Sequence, residues 1–528
     1  MEEVGRLADH AASRPATLEE PAASRKLVFV GFMGAGKSRA VRKLAQRTGR
    51  EPLDADLQLE ERLGEPIAAF FEREGEAAFR ERERDVVLEL LERPGPGLVA
   101  LGGGAVEIDD VRDALERHTV AWVDVDPETA WSRAQGPKRP LARDRESFFE
   151  LHARRRPLYE SLAGLRLAWA DVGEGHPVFV GAGALGAAGT LWPRSEGRAF
   201  IVADERAGEF HGPALHEALS ARVEIGASFV IRPGEPSKSL AEAERLLRSL
   251  ARAGMQRSDA IVALGGGVAG DLAGFCAATY QRGVAIVHVP TTVVAQVDSA
   301  YGGKTGVDIP EGKNYVGAFH QPEAVIADPL TLRTLPEAEL RAGSAEVIKT
   351  ALIAGGRVWE DVRTMPPLGE ALESDPDLVV RVVYRCARAK LDVVAADELD
   401  QGVRASLNLG HTFAHALESA TGYEGHRHGE AVALGLRVAL RLSERFAGLD
   451  PAIRAEVDEL IAGHGLPLEF EGPPTATLLE HAGRDKKRRG ARRNLVLLER
   501  PGDVQIGAEV SDEALEQAIE DIRAGGPG

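Results

Sequence analysis

Gly31-Phe32-Met33-Gly34-Ala35-Gly36-Lys37-Ser38 has the glycine spacing and closing Lys-Ser pair of a phosphate-wrapping loop. In such a loop backbone N–H groups close around phosphate oxygens at a helix N-terminus, Lys37 reaches the outer phosphates, and the Ser38 hydroxyl binds magnesium. Asp54 and Asp56 end the next strand, placing two carboxylates beside those phosphates. Arg80, Gly102-Gly103-Gly104, Lys138-Arg139-Pro140-Leu141 and Arg155-Arg156-Pro157-Leu158-Tyr159 follow, the arginines being suited to grip carboxylate or phosphoryl groups.

A second set begins at Pro233-Gly234-Glu235-Pro236-Ser237-Lys238. Gly265-Gly266-Gly267-Val268-Ala269-Gly270-Asp271 then stands between a buried strand and an Ala-rich helix, as a nucleotide-binding turn does. Thr291-Thr292, Gln296, Asp298, Gly302-Gly303-Lys304 and Gly312-Lys313-Asn314 read as loops around an anion. Four of the 14 histidines, His411, His415, His426 and His428, fall within 18 residues. His411 and His415 share one helical face. With Glu346, two imidazoles would hold zinc and leave open positions, as catalytic zinc requires. Spacing alone does not say which histidines bind. Gly181-Ala182-Gly183-Ala184-Leu185-Gly186 also fits a dinucleotide pattern, but reads as a structural strand-turn.

The elements that must position these groups are legible in outline. Residues 1–25 read as a disordered leader, acidic and without the apolar core of a signal peptide. A unit at 26–172 alternates short β-rich runs with charged helices, so a parallel α/β sheet with helices on both faces is expected. GEGHP at 173–177 reads as a linker. A Rossmann-like α/β unit at 177–335 is followed by a mostly helical, metal-binding unit at 336–528. The chain has 528 residues, a net charge of -18 and only two cysteines, Cys276 and Cys386. Such acidity argues against nucleic acid as a partner, and the cysteine count against a disulfide framework. No apolar run reaches a membrane span, and a cytoplasmic location is expected. Only 11 of the 64 basic residues are lysine, yet Lys37, Lys238, Lys304, Lys313, Lys349 and Lys390 fall in these motifs.

In order and spacing, the first set resembles shikimate kinase over about 145 residues. The resemblance implies ATP and magnesium. Gly34, Ala35, Gly36, Lys37, Ser38, Arg39 and the lid residue Arg139 would meet the nucleotide, and Ser38 and Asp54 the magnesium shell. Asp56 would orient the attacking hydroxyl, and Arg80, Arg155 and the backbone of Gly103 and Gly104 would hold shikimate. Arg39 departs from the small hydroxyl residue usual there, and Arg156 adds a charge beside Arg155.

From about Val178 onward the chain resembles 3-dehydroquinate synthase. That makes Glu346, His411 and His428 the ligands of zinc or cobalt, with His415 a nearby proton-transfer group. NAD contacts fall on Asp204, Glu235, Lys238, Gly266, Gly267, Val268, Ala269, Gly270, Asp271, Thr291, Thr292, Lys304 and Lys313. Substrate contacts fall on Asp298, Lys304, Asn314, Lys349, Lys390, Arg404, Asn408 and one of Lys486 and Lys487, here assigned to Lys487. Lys304, Lys349, Lys390 and Arg404 would also take part in catalysis with Asp56, Arg139 and His415. Asp400 replaces the usual Glu four residues before Arg404. The resemblance implies that NAD oxidises an alcohol transiently, phosphate leaves a seven-carbon keto-acid sugar phosphate, and the hydride returns before ring closure. A homodimer through this half is also implied. The competing readings are another sugar-phosphate cyclase, a metal-dependent polyol dehydrogenase, and a binding module retaining fold without turnover.

Overall fold

The computed structural model describes residues 25–135, 144–484 and 492–524. Arg139, Lys486, Lys487 and nearly all of the expected leader lie outside them. The first half contributes β1 (Leu27–Val30), α1 (Lys37–Thr48), β2 (Pro52–Asp54), α2 (Ile67–Glu92), β3 (Leu98–Ala100), β4 (Thr119–Trp122), α3 (Pro127–Ala134), α4 (Arg145–Leu162) and β5 (Leu165–Ala170). The second half supplies β6 (His176–Val180), β7 (Ala199–Asp204), β8 (Ile225–Ile231), β9 (Ala260–Gly265), α5 (Gly267–Thr279) and β10 (Ala285–Pro290). It continues with β11 (Lys304–Ile309), β12 (Gly312–Phe319), β13 (Ala324–Ala327), α6 (Glu337–Ala354), α7 (Pro376–Ala396), α8 (His411–Ala420) and α9 (His428–Phe446). A hairpin, β14 (Arg492–Arg500) and β15 (Asp503–Ser511), lies near the end.

All four residues of β1 and of β13 are buried, the continuous apolar run of strands covered on both faces. Eleven strands form one sheet in the order β2-β3-β1-β4-β5-β6-β13-β10-β9-β7-β8. Its pairings are parallel except at the centre, where β5 and β6 run antiparallel. Residues 173–177, read above as a linker, are therefore a turn plus the start of β6. Gly173 at φ 55° and Gly175 at φ 72° make the reversal possible. A Cβ on Gly175 would lie 2.6 Å from Trp169 Nε1, so a side chain does not fit there.

The antiparallel seam has a functional consequence. Ligands of α/β sheets bind at the carboxyl ends of the strands. The loop after β1 and the glycine turn after β9 thus open at opposite edges of one sheet. One apolar cluster spans the seam, packing Leu27, Phe29, Val41 and Leu44 with Phe179, Leu191 and Val287. Tyr384 of α7 adds a hydrogen bond to the Leu167 carbonyl at 3.3 Å.

One expectation needs correction. Lys304 and Lys313 lie on an antiparallel hairpin, β11–β12, rather than in irregular loops. Its polar sequence hid the strands because packing rests on a few positions. Val307 is fully buried, and a Cβ on Gly317 would come 2.2 Å from the Thr305 carbonyl oxygen. Strands also reappear after Pro336: β14 and β15 turn at Pro501-Gly502 and bury Leu497, Leu498 and Val510 against the helical core.

Candidate active sites

At the first edge, Gly36 sits at φ 99° at the head of α1, a left-handed conformation that favours glycine. Gly34, at φ 82°, is close-packed: a Cβ there would lie 2.7 Å from the Ala130 carbonyl oxygen. Lys37 Nζ donates to the carbonyls of Gly31 at 2.7 Å and Phe32 at 3.1 Å, so its ammonium lies over the loop. Asp54 Oδ1 accepts the N–H groups of Asp56 and Leu57, capping the next helix. Arg39 is exposed and pairs with Asp171 at 3.6 Å.

Opposite the loop, two arginines converge on Glu107. Arg155 Nη2 lies 2.6 Å and Arg80 Nη2 3.6 Å from Glu107 Oε2. Arg155 is buried, and its Nε has no hydrogen-bond partner. Arg80 also pairs with buried Glu83 at 2.5 Å. The triple glycine leaves room for these groups: Cβ atoms on Gly102 and Gly104 would come 2.4 Å from Glu83 Oε1 and 2.2 Å from Arg80 Nη1. Burial raises the Glu107 carboxyl, but Arg155 and Arg80 hold it below its usual range. Arg156 points elsewhere, bonding Asp124 at 3.3 Å and lying 5.0 Å from the Trp122 ring.

At the other edge Gly266 and Thr292 abut, since a Cβ on Gly266 would meet Thr292 Cγ2 at 2.9 Å. Asp204 Oδ1 caps a helix through Ala207 N at 2.8 Å, while Oδ2 accepts the Gly266 N–H at 3.4 Å. Lys238 Nζ lies 2.5 Å from both Asp271 Oδ2 and Asn314 Oδ1, tying three distant motifs together. Lys313 pairs with Glu235 at 3.3 Å. Asp298 sits on a single wide turn, Ala295–Ser299, and accepts from Lys390 at 2.6 Å. Lys304 reaches Asp400 at 2.8 Å. Arg404 donates to the carbonyls of Glu398 and Gly302, and exposed Asn408 ends its turn.

Glu346 of α6, His411 of α8 and His428 of α9 each offer a ligand atom, all within 4.8 Å of one another. Glu346 Oε1 lies 3.2 Å from His428 Nε2 and 3.5 Å from His411 Nε2. The outer nitrogens are held separately: His411 Nδ1 faces the Leu409 carbonyl, and His428 Nδ1 faces Glu418 Oε1, both at 3.2 Å. Lys349 Nζ is 2.5 Å from Glu346 Oε2 in a buried ion pair. The His415 ring centre lies 5.2 Å from that of His411. Burial, with Lys349 nearby, lowers His411 to about 3. Burial also opposes charge on His428, but Glu346 and Glu418 raise it to about 10.

Comparison with known proteins decides the lineage. The shikimate kinase family model matches residues 33–170, and the N-terminal and C-terminal models of 3-dehydroquinate synthase match residues 228–342 and 343–488. A 3-dehydroquinate synthase of Symbiobacterium thermophilum is 43% identical over 356 residues, covering 66% of this chain and 98% of that protein. The chain belongs to the 3-dehydroquinate synthase family. It carries a shikimate kinase domain ahead of the synthase. A Neisseria meningitidis synthase is 42% identical over 341 residues, covering 64% of this chain and 93% of its own length. Among solved structures, 2-deoxy-scyllo-inosose synthase complexed with carbaglucose-6-phosphate, NAD+ and Co2+ matches at TM-score 0.61 and 25% identity, over 67% of this chain and 99% of that one. ValA, a 2-epi-5-epi-valiolone synthase from Streptomyces hygroscopicus subsp. jinggangensis with NAD+ and Zn2+ bound, matches at TM-score 0.57 and 25% identity, over 62% and 91%.

The synthase site contains a group that sequence reasoning missed. Glu418 lies seven residues after His411, two turns along the same helix face, and that spacing was an available signal. In the kinase domain Glu107 was missed as well. A lone acid after a glycine turn gives no sequence signal.

Proposed function

We propose that the kinase site phosphorylates shikimate with ATP, and that the synthase site converts 3-deoxy-D-arabino-heptulosonate 7-phosphate to 3-dehydroquinate and phosphate. The observation that carries the second reading is the Glu346, His411, His428 cluster with Lys349 and the Asp298–Lys390 pair beside it. The donor set suits zinc or cobalt: one carboxylate and two imidazoles, each ring turned inward through Nε2 by an acceptor on Nδ1. The side-chain-free turn at Gly265 to Gly267, heading α5, suits the pyrophosphate of NAD. Bound there, the metal would supply a Lewis acid for a substrate oxygen and NAD a reversible hydride acceptor.

The chain's own residues do the rest. Lys349 and Lys390 are buried beside Glu346 and Asp298, where a substrate phosphate or carboxylate would meet two ammonium groups in a low-dielectric setting. Burial lowers Lys390, only partly opposed by Asp298. Arg404 and Lys304 close the hairpin side, and His415 stands next to His411 as a proton-transfer group.

In the kinase domain Gly34 to Ser38 would hold the ATP phosphates, with Ser38 and Asp54 supporting magnesium, which when bound compensates phosphate charge. Asp56 would orient the shikimate hydroxyl. Arg80 and Arg155 converge on one carboxylate, Glu107, which supports a shared grip on the shikimate carboxylate. Arg139 and Lys487 keep their proposed lid and substrate roles.

We further propose a cytoplasmic homodimer formed through the synthase half; light scattering at working concentration measures the latter. Among the described residues no helix is long and apolar enough to cross a membrane. Product analysis with the seven-carbon substrate tests the synthase reading. Phosphate release with 3-dehydroquinate and catalytic NAD supports it, whereas accumulating NADH would favour a polyol dehydrogenase.

A further inference from the structure

Where the two halves face each other, a cleft of about 740 Å³ opens, lined by none of the candidate residues named above. One wall is the turn after β4 and the start of α3, with Asp124, Asp126 and Glu128. The other is formed by α6, residues 355–358 and α7, which present Arg357, Arg385 and Arg388. Across the gap the charges act on one another without an ion pair: Asp124 favours the charged form of Arg388, and Arg388 that of Asp126. Asp124 is engaged by Arg156 at 3.3 Å, Glu128 by Arg145, and Asp126 caps α3 through Thr129 N at 2.8 Å. Arg385 is held by Asp361, and its Nη1 also donates to the Arg357 carbonyl at 2.9 Å.

Arg357 and Arg388 are left over. Among the described residues no carboxylate makes an ion pair within 4.0 Å of either guanidinium. Arg388 instead has the Tyr384 hydroxyl beside it, with Asp124 and Asp392, the latter one turn along α7 and also lining the cleft, beyond ion-pair distance. Between the charged walls the lining is apolar, with Ile353, Val358, Val393 and Leu407. Arg388 is half-buried, so a bound anion would offset part of its desolvation, while Arg357, on the same wall, is exposed and open to a ligand. The planar fork of a guanidinium matches carboxylate and phosphate oxygens.

We infer that this cleft binds a small organic anion, a carboxylate or phosphate monoester on a compact apolar or ring-shaped body, gripped by Arg357 and Arg388. Such a ligand would rest on Thr350 and Ala389, neighbours of Lys349 and Lys390 on α6 and α7. Its other wall leads into α3, which touches the phosphate loop at Gly34. The site is thus a property of the fusion, and it stands whether or not either half turns over.

Calorimetric titration of the full chain with phenyl phosphate, benzoate and inorganic phosphate tests the inference. At least one probe should show a saturable binding event that weakens tenfold or more in Arg357→Gln/Arg388→Gln. Kinase and synthase turnover at saturating substrate should stay within twofold. Ala389→Trp, which narrows the cleft while keeping both arginines, should cause the same loss and decides the matter if the double variant fails to fold. Loss confined to the phosphates identifies a phosphate ligand, and loss confined to benzoate a carboxylate. If no probe binds, or if binding is unchanged in the folded double variant and in Ala389→Trp, the inference is overturned.

Discussion

Arg50, buried at the end of α1, donates to the Thr190 carbonyl across the seam at 2.7 Å. Its other nitrogens meet the carbonyls of Pro96 at 2.6 Å and Gly97 at 3.2 Å, so one guanidinium from the kinase domain ties the 96–97 and 190 backbone segments together. Burial pushes its pKa down to about 9, a measure of how dry the junction is. Arg50→Leu removes the donor from the buried Thr190 carbonyl, at about 1–3 kcal/mol, and from the part-buried Pro96 carbonyl, while Leu27 N–H still reaches Gly97. Thermal unfolding followed by kinase and synthase activity should then shift downward for both together, because one core serves both halves. A shift in kinase activity alone would show that the halves unfold independently.

His176, the first residue of β6, is buried at the same seam and held neutral by burial and then by Arg47, with its pKa lowered from 6.5 to about 3. The unfolded chain therefore binds a proton there that the fold refuses between these two values. Stability from this group is complete above pH 6.5 and falls by up to about 1.4 kcal/mol per pH unit as pH drops towards 3. His176→Phe should flatten the stability–pH curve over that window in urea titrations. An unchanged slope would place the proton uptake elsewhere.

Glu418 holds His428 from behind, as outer carboxylates hold the imidazoles of metal sites. Glu418→Ala should weaken metal affinity by about 10- to 100-fold, read from cobalt absorption against a competing chelator. Glu418→Gln should fall between it and the parent. Kinase rates should not move in either variant.

Glu107 meets Arg80 and Arg155 through one nitrogen each, while Glu83 takes Arg80 Nη1 and Arg155 Nε has no partner. Glu107→Ala frees two like-charged guanidiniums to separate. KM for shikimate should rise about tenfold, corresponding to about 1.4 kcal/mol, with KM for ATP unchanged. Equal changes in both constants would point to general loosening of the domain.

Local spacing made much of this legible. The loop at 31–38, the glycine turn at 265–271 and the histidine pair on α8 need only a few consecutive residues to declare their chemistry. The seam did not show, because residues 173–177 contain the same glycines whether they space two domains or reverse a strand; pairing between β5 and β6 decides, and that is a tertiary fact. The β11–β12 hairpin was hidden for a similar reason, its strands being specified by close backbone packing rather than apolar alternation. Spacing left four histidines open, and the fold gathers His411 and His428 with Glu346 because α6, α8 and α9 pack together.

The most direct measurement is the initial rate of both reactions on single preparations of the parent chain, Lys37→Ala and Glu346→Gln, with metal content determined on each. Two independent sites at opposite edges of one sheet predict that Lys37→Ala loses the kinase reaction at least a hundredfold while synthase turnover stays within twofold. Glu346→Gln should lose bound metal and the synthase reaction while sparing the kinase. A folded variant that loses both reactions together, or a metal-loaded parent that performs only one, would contradict the account.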